Sequence, residues 1–130
     1  MKSPNQELYD NIYIELDSAG VTPYDVLPMY NVDYPFVTVK SRATRHDKRH
    51  KRAYSLMSSY VIDCYALEND RLKNDELVNT VLNVLKHKIK GTSSIQYTLR
   101  ELNTNEITDR STNDTLLHTV ITCRFELNTK

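Results

Sequence analysis

The sequence predicts a single α+β domain over residues 1–130: an antiparallel sheet of four to five strands, with two amphipathic helices packed on one face and a long basic loop between the first two strands. Three observations carry this. Apolar residues recur at helical spacing in two stretches, 4–19 and 74–90, each bounded by cap and stop signals. Four other stretches alternate apolar and polar residues with the period of a strand. The length of 130 residues gives room for one core that buries roughly two thirds of the unfolded surface. Each apolar stripe needs an apolar surface to meet, and one helix layer over one sheet face satisfies all of them.

The first helix is expected over 4–19. Ser3 can cap it, Pro4 suits its first position, and Gln6 can return the hydrogen bond of a capping box. Leu8, Tyr9, Ile12, Tyr13 and Leu16 form its apolar stripe, and Gly20 supplies the stop. A connection rich in proline and tyrosine follows, through Pro23, Tyr24, Pro28, Tyr30, Tyr34 and Pro35. Proline excludes regular helix there and stiffens an extended path, so Tyr24, Tyr30 and Tyr34 are candidates for a subunit interface, together with open strand edges.

A short strand is predicted at 36–39, and it gives way to the most concentrated charge in the chain. Lys40, Arg42, Arg45, Lys48, Arg49, Lys51 and Arg52 are seven of the 17 Lys and Arg residues, opposed in that window only by Asp47. The remainder holds 10 basic against 16 acidic side chains, so the formal net charge of +0 hides an acidic body with one cationic segment. The segment is expected to be a long hairpin loop, disordered in the isolated subunit, that is neutralised by DNA phosphate or by an acidic neighbour. No aromatic residue interrupts it to stack on a base, so attraction to phosphate without base readout is the expected mode.

The next strand is read at 58–67, with Tyr60, Ile62, Cys64 and Ala66 on one face and Val61, Asp63, Tyr65 and Leu67 on the other. The second helix takes Asn74 as cap, Asp75 and Glu76 in its first turn, Lys86, His87, Lys88 and Lys90 in its last, and Gly91 as stop. Its stripe is Leu77, Val78, Val81, Leu82, Leu85 and Ile89. A strand begins near Ser94 with Ile95, Tyr97 and Leu99 on one face, and 106–108 extends it or pairs with it. The closing strand, 117–127, turns Leu117, Thr119, Ile121, Cys123, Phe125 and Leu127 to the core.

Several function classes are expected to be absent. Two glycines, both at helix ends, leave no material for a nucleophile elbow, a P-loop or a dinucleotide-binding loop. His46 and His50 have the spacing of a helical zinc motif, but they stand among cations on a stretch without helical apolar periodicity, so no metal site is expected. Asp63 and Glu101 have no sequence partner that would make them a catalytic pair. The reading is therefore a non-enzyme without cofactor. Cys64 and Cys123 fall in strand patterns and are read as reduced core residues in a cytosol. No signal layout and no apolar run of membrane-spanning length stands in the sequence, so no membrane partner is expected.

The layout resembles a known family. The helix at 7–16, the segment Tyr34-Pro35-Phe36-Val37-Thr38-Val39, the variable loop after it, the strand Tyr60-Val61-Ile62-Asp63-Cys64-Tyr65, the helix at 74–90 and the C-terminal strands resemble the tail terminator proteins, also called tail completion or head-to-tail joining proteins, of long-tailed bacteriophages. The resemblance implies a homo-oligomer, a hexameric ring that caps the tail tube, ends its elongation and joins the tail to the head-tail connector. It also implies a virion location after assembly in the host cytoplasm, with DNA passing through the lumen without sequence recognition. The loop here is more basic than in many relatives. Two alternatives stand beside this reading: another phage neck or head-completion protein, and a small nucleic-acid-binding module that does not read sequence.

Overall fold

The computed structural model describes residues 2–27, 33–47, 55–110 and 114–130. Along the chain run α1 (Pro4–Ser18), β1 (Pro23–Tyr24), β2 (Phe36–Asp47), β3 (Ser55–Leu67), α2 (Arg71–Asn83) with a π-helical turn at Val84–Lys88, β4 (Ile95–Asp109) and β5 (Leu116–Thr129). The strands form one sheet in the order β1-β2-β3-β5-β4.

Helix α1 starts and stops where its sequence signals stand. Ser3 Oγ accepts the Gln6 N–H at 3.1 Å, satisfying one of the free donors of the first turn. The other half of the capping box does not form, because the Gln6 side chain donates forward to Asp10 at 2.9 Å. At the far end Gly20 takes a φ of 86°. The Val21 N–H then reaches back to the Leu16 carbonyl at 3.2 Å and the Gly20 N–H to that of Asp17 at 3.1 Å. This is the Schellman pattern, with Val21 and Leu16 both buried as its apolar contact.

Both helices cover one face of the sheet. Leu8, Ile12 and Leu16 of α1 and Val81, Val84 and Leu85 of α2 and its last turn share one core cluster with Val37, Val39, Tyr60, Ile62, Cys64, Ile121, Cys123, Phe125 and Leu127 of the strands. Truncating a fully buried member, as in Ile12→Ala, leaves a cavity that costs about 2–5 kcal/mol. Three tyrosine hydroxyls tie α1 to the sheet without leaving a buried polar group unpaired. Tyr9 donates to the Val39 carbonyl at 3.1 Å, Tyr13 to that of Pro23 at 2.7 Å, and the fully buried Tyr60 to Asn5 Oδ1 at 2.6 Å.

Five expectations are corrected. The sheet is mixed, since β1 pairs parallel to β2 through Pro23↔Val37 and Tyr24↔Thr38; a proline is tolerated because β1 is an edge strand. β2 does not end at Val39 but continues through Lys40, Arg42 and Arg45 to Asp47, paired with β3 as far as Ser55. The basic run is thus strand over 40–47, and the connection to β3 spans 48–54, outside the described residues together with Lys48, Arg49, Lys51 and Arg52. Helix α2 begins at Arg71 after Asp70, not at Asn74, which lies buried inside its first turns. Its helical path ends at Lys88, where Ile89 turns extended, so Gly91, which takes no positive φ, is not the stop; it is required by a close approach instead, since a Cβ there would stand 2.4 Å from the Ile95 carbonyl oxygen.

Two outcomes follow for stability. Gly91→Ala pushes a methyl into backbone that cannot swing aside and should cost about 1–3 kcal/mol. Gly20→Ala should cost about 1 kcal/mol through its left-handed φ. Urea unfolding should show both as lower midpoints at unchanged slope, and an unchanged midpoint for Gly91→Ala would refute the close approach.

Cys64 and Cys123 are free and buried, and burial pushes each thiol from 9.0 up to about 12. The folded state therefore holds protons that the unfolded chain gives up first. Stability should be intact below pH 9 and fall by roughly 1.4 kcal/mol per pH unit per thiol as pH rises toward 12. Comparing alkaline urea titrations of the parent with those of Cys64→Ala and Cys123→Ala should show the slope shrinking one thiol at a time; identical slopes would contradict it.

Candidate functional site

The sheet face that carries no helix holds a transverse row of rings. Alternation along each strand sends Phe36, Tyr65 and His118 to this face, and the register places Phe36 opposite Tyr65 and Tyr65 opposite His118. Phe36 and Tyr65 stack with centroids 5.1 Å apart, and Tyr65 and His118 at 4.4 Å. Tyr24 meets Phe36 edge-on at 5.8 Å and Tyr34 lies against it at 5.4 Å. Two of the three tyrosines expected at an interface therefore end this row, half-buried against their own chain, and Tyr30 lies outside the described residues.

Beneath the rings lies a buried acid. Asp63 is 8% exposed; His118 Nε2 stands 2.8 Å from its Oδ1, and the Thr38 hydroxyl donates to Oδ2 at 3.4 Å. The carboxylate of Asp63 in turn adds to burial in holding the Tyr65 phenol up at about 12. Sequence alone leaves Asp63 without a partner and does not single out His118. The outward parity of His118 in β5 is legible, but only the register of β3 against β5 brings the two together.

The basic residues divide. Lys40, Arg42 and Arg45 are exposed on β2, with Lys40 opposite Val61, Arg45 opposite Met57, and Arg42 at the register shift between Ser41 and Ala43. A strand edge with spaced cations resists unplanned pairing, and it presents the charge as a ribbon stem, not a tether. His46 lies on the same strand, and His50 lies outside the described residues. No group of three or more metal-binding side chains occurs among the described residues.

At the opposite end of the sheet, α2 and β4 leave a groove of about 490 Å³ between them, lined by Leu72, Asn74, Val78, Thr104, Glu106 and Thr119 among others. Arg71 closes one side with paired hydrogen bonds to Glu106, both at 3.0 Å. Asn74 donates to the Thr119 hydroxyl at 3.4 Å, while its buried Oδ1 has no hydrogen-bond partner.

The Asp63–His118 pair gives a measurable test of the row. His118→Ala removes a stacked ring and an acid's closest partner and should cost about 2–4 kcal/mol. Adding Asp63→Asn to it should recover part of that loss, because the uncompensated charge goes with it. Strict additivity in the double-mutant cycle would mean the two side chains are not coupled.

No family model matches this sequence, and no curated protein sequence matches it. Solved structures share its fold, two among them as follows. One, a protein described only by a sequence identifier, is 14% identical, with a TM-score of 0.58 over 96% of this chain and 96% of that one. The other, a chain from the virion of a native gene transfer agent particle, is 11% identical, with a TM-score of 0.52 over 94% of this chain and 91% of its own. At these identities the likeness is one of fold, and it spans nearly the whole of each chain.

Proposed function

We propose that this chain is a structural protein of a phage-like virion: a tail terminator whose copies form a ring, with six as the expected number, that caps the tail tube, ends its elongation and joins the tail to the head-tail connector. The observation that carries the reading is the end-to-end fold likeness to a chain of a gene transfer agent virion, taken with the terminator-like order of helix, Tyr34-Pro35-Phe36-Val37 strand and Tyr60-Val61-Ile62-Asp63 strand. The fold's two open sheet edges suit a protomer that must bind copies of itself. In this reading the protein is not an enzyme and uses no cofactor. It works from the virion after assembly in the host cytoplasm, and DNA crosses its lumen without being read.

A second reading is favoured by the cations themselves. Lys40, Arg42 and Arg45 stand exposed on one strand that leads into Lys48, Arg49, Lys51 and Arg52. Such a ribbon would attract phosphate in a ring lumen, and equally in a small nucleic-acid-binding module or in another neck protein.

Light scattering on the purified protein, followed by negative-stain imaging with and without tail tube protein, tests the first reading. A ring that seats on tube ends and fixes tube length is the expected result; a monomer that leaves tubes growing would reject it. For the ribbon, Arg45, Lys48, Arg49 and Lys51 replaced by Ser should leave the urea midpoint within about 0.5 kcal/mol of the parent, as surface changes do. The same variant should lose about one unit of salt slope per phosphate contact removed and join fewer tails to filled heads. Equal joining and salt-independent binding would show the cations to be idle.

A further inference from the structure

The two ends of the sheet differ from its middle. Among the described residues β4 is bonded to β5 on one side only, over a strand of 15 residues that contains no proline. At the other end β1 covers β2 at Val37 and Thr38 alone, so from Lys40 to Asp47 the outer edge of β2 is also without a strand among the described residues. Long open edges of this kind are templates for a further strand.

The exposed apolar side chains mark the same two ends. Ile14 at 60%, Val26 at 70% and Leu27 at 54% lie by α1 and just after β1, while Leu72 at 70% and Ile107 at 44% lie on α2 and β4. These are all the large hydrophobic residues exposed among the described ones, and none of them is on the central strands β3 and β5. Charge separates along the same line. β2 carries Lys40, Arg42 and Arg45 against Asp47, whereas β4 carries Glu101, Glu106 and Asp109 against Arg100; Glu101 and Glu106 already pair with Arg124 at 3.6 Å and Arg71 at 3.0 Å, exposed pairs that an incoming cation would share.

We propose that these ends are complementary to each other, so that the β2 edge with Ile14, Val26 and Leu27 of one copy docks on the β4 edge and the α2–β4 groove of a second copy, head to tail. Strand direction agrees with this occupant. β2 is antiparallel to β3, β3 to β5 and β5 to β4, so β4 runs opposite to β2. A second copy rotated about an axis along the strands therefore presents its β2 antiparallel to β4, and the alternation of the sheet continues across the contact. Opposite edge charges favour that approach and disfavour edge-to-edge pairing of two β2 or two β4 strands. Because the two surfaces differ, the contact is heterologous and closes into a ring when the rotation divides the circle. The proposal rests on the ring reading above and assigns its interface.

Two variants test it. Val26→Asp with Leu27→Asp spoils the first surface and leaves the second whole; Leu72→Asp with Ile107→Asp does the reverse. All four positions are exposed, so both variants should keep the parent's circular dichroism and urea midpoint. In light scattering each alone should fall from the parental oligomer to a single chain of 15.2 kDa. An equimolar mixture should form a one-to-one dimer and nothing larger, since one intact junction remains. Variants that keep the parental mass, or a mixture that stays monomeric, would overturn the head-to-tail contact and leave the ring reading standing. A parent chain that is monomeric at the highest soluble concentration would overturn the contact, and its failure to cap tubes as well would remove the reading beneath it.

Discussion

The structure depends on the pairing of β3 with β5. All 13 residues of β3 are matched without interruption, from Ser55↔Asn128 to Leu67↔Leu116. Because side chains alternate with a period of two, that register decides both faces at once. It puts Tyr60, Ile62, Cys64, Ile121, Cys123 and Phe125 under the helices and sends Asp63, Tyr65 and His118 to the other side. A slip by one residue would bring Asp63 beneath α1 and expose Ile62. The cost would include an unpaired buried carboxylate and several lost apolar contacts, which is why the register is held so firmly.

What can be read from the sequence follows from local rules. The stripes of α1 and α2, the alternation of β3 and β5, the apolar setting of both cysteines and the stop at Gly20 all express periodicity or backbone chemistry that acts within a few residues. The misreadings share a different cause. Beyond Val39 the side chains of β2 stop alternating in polarity because neither face of that part of the strand is buried, with Lys40, Ser41, Arg42, Ala43, Arg45 and His46 exposed, so the apolar signal vanishes while the hydrogen-bonded ladder continues. Asn74 resembles a cap in composition, yet packing against Thr119 draws it inside the helix, and Asp70 serves the boundary instead. The parallel pairing of β1 rests on two residue pairs, too few to leave a pattern. The Asp63–His118 pair joins residues 55 apart in the chain and the ring row joins three separate strands, and such proximity is a property of register alone.

The two faces of the sheet do different work. The helix-covered face is apolar and buried and makes the fold stable, with tyrosine hydroxyls finding carbonyl or amide oxygens at its margins. The other face is held by ring contacts and by one satisfied acid, so it is ordered without being covered. That arrangement leaves a firm platform whose rings are half-buried, a surface that can meet another protein at small entropic cost because its side chains are already fixed.

Stability and association are then separated along the sheet. Cohesion is concentrated in β3 and β5, both paired on each side, while among the described residues open hydrogen-bonding edges and exposed aliphatic side chains lie toward the two ends of the sheet. A fold organised in this way can lose an interface residue without losing its core, because the core stripe and the edge residues share few contacts. The same separation explains how a chain with formal net charge +0 can still be strongly polar in the electrical sense. Seven of its 17 Lys and Arg residues lie between Lys40 and Arg52, and the rest of the chain carries 10 basic against 16 acidic side chains. In the ring proposed above, that imbalance would favour one relative orientation of successive copies over the reversed one.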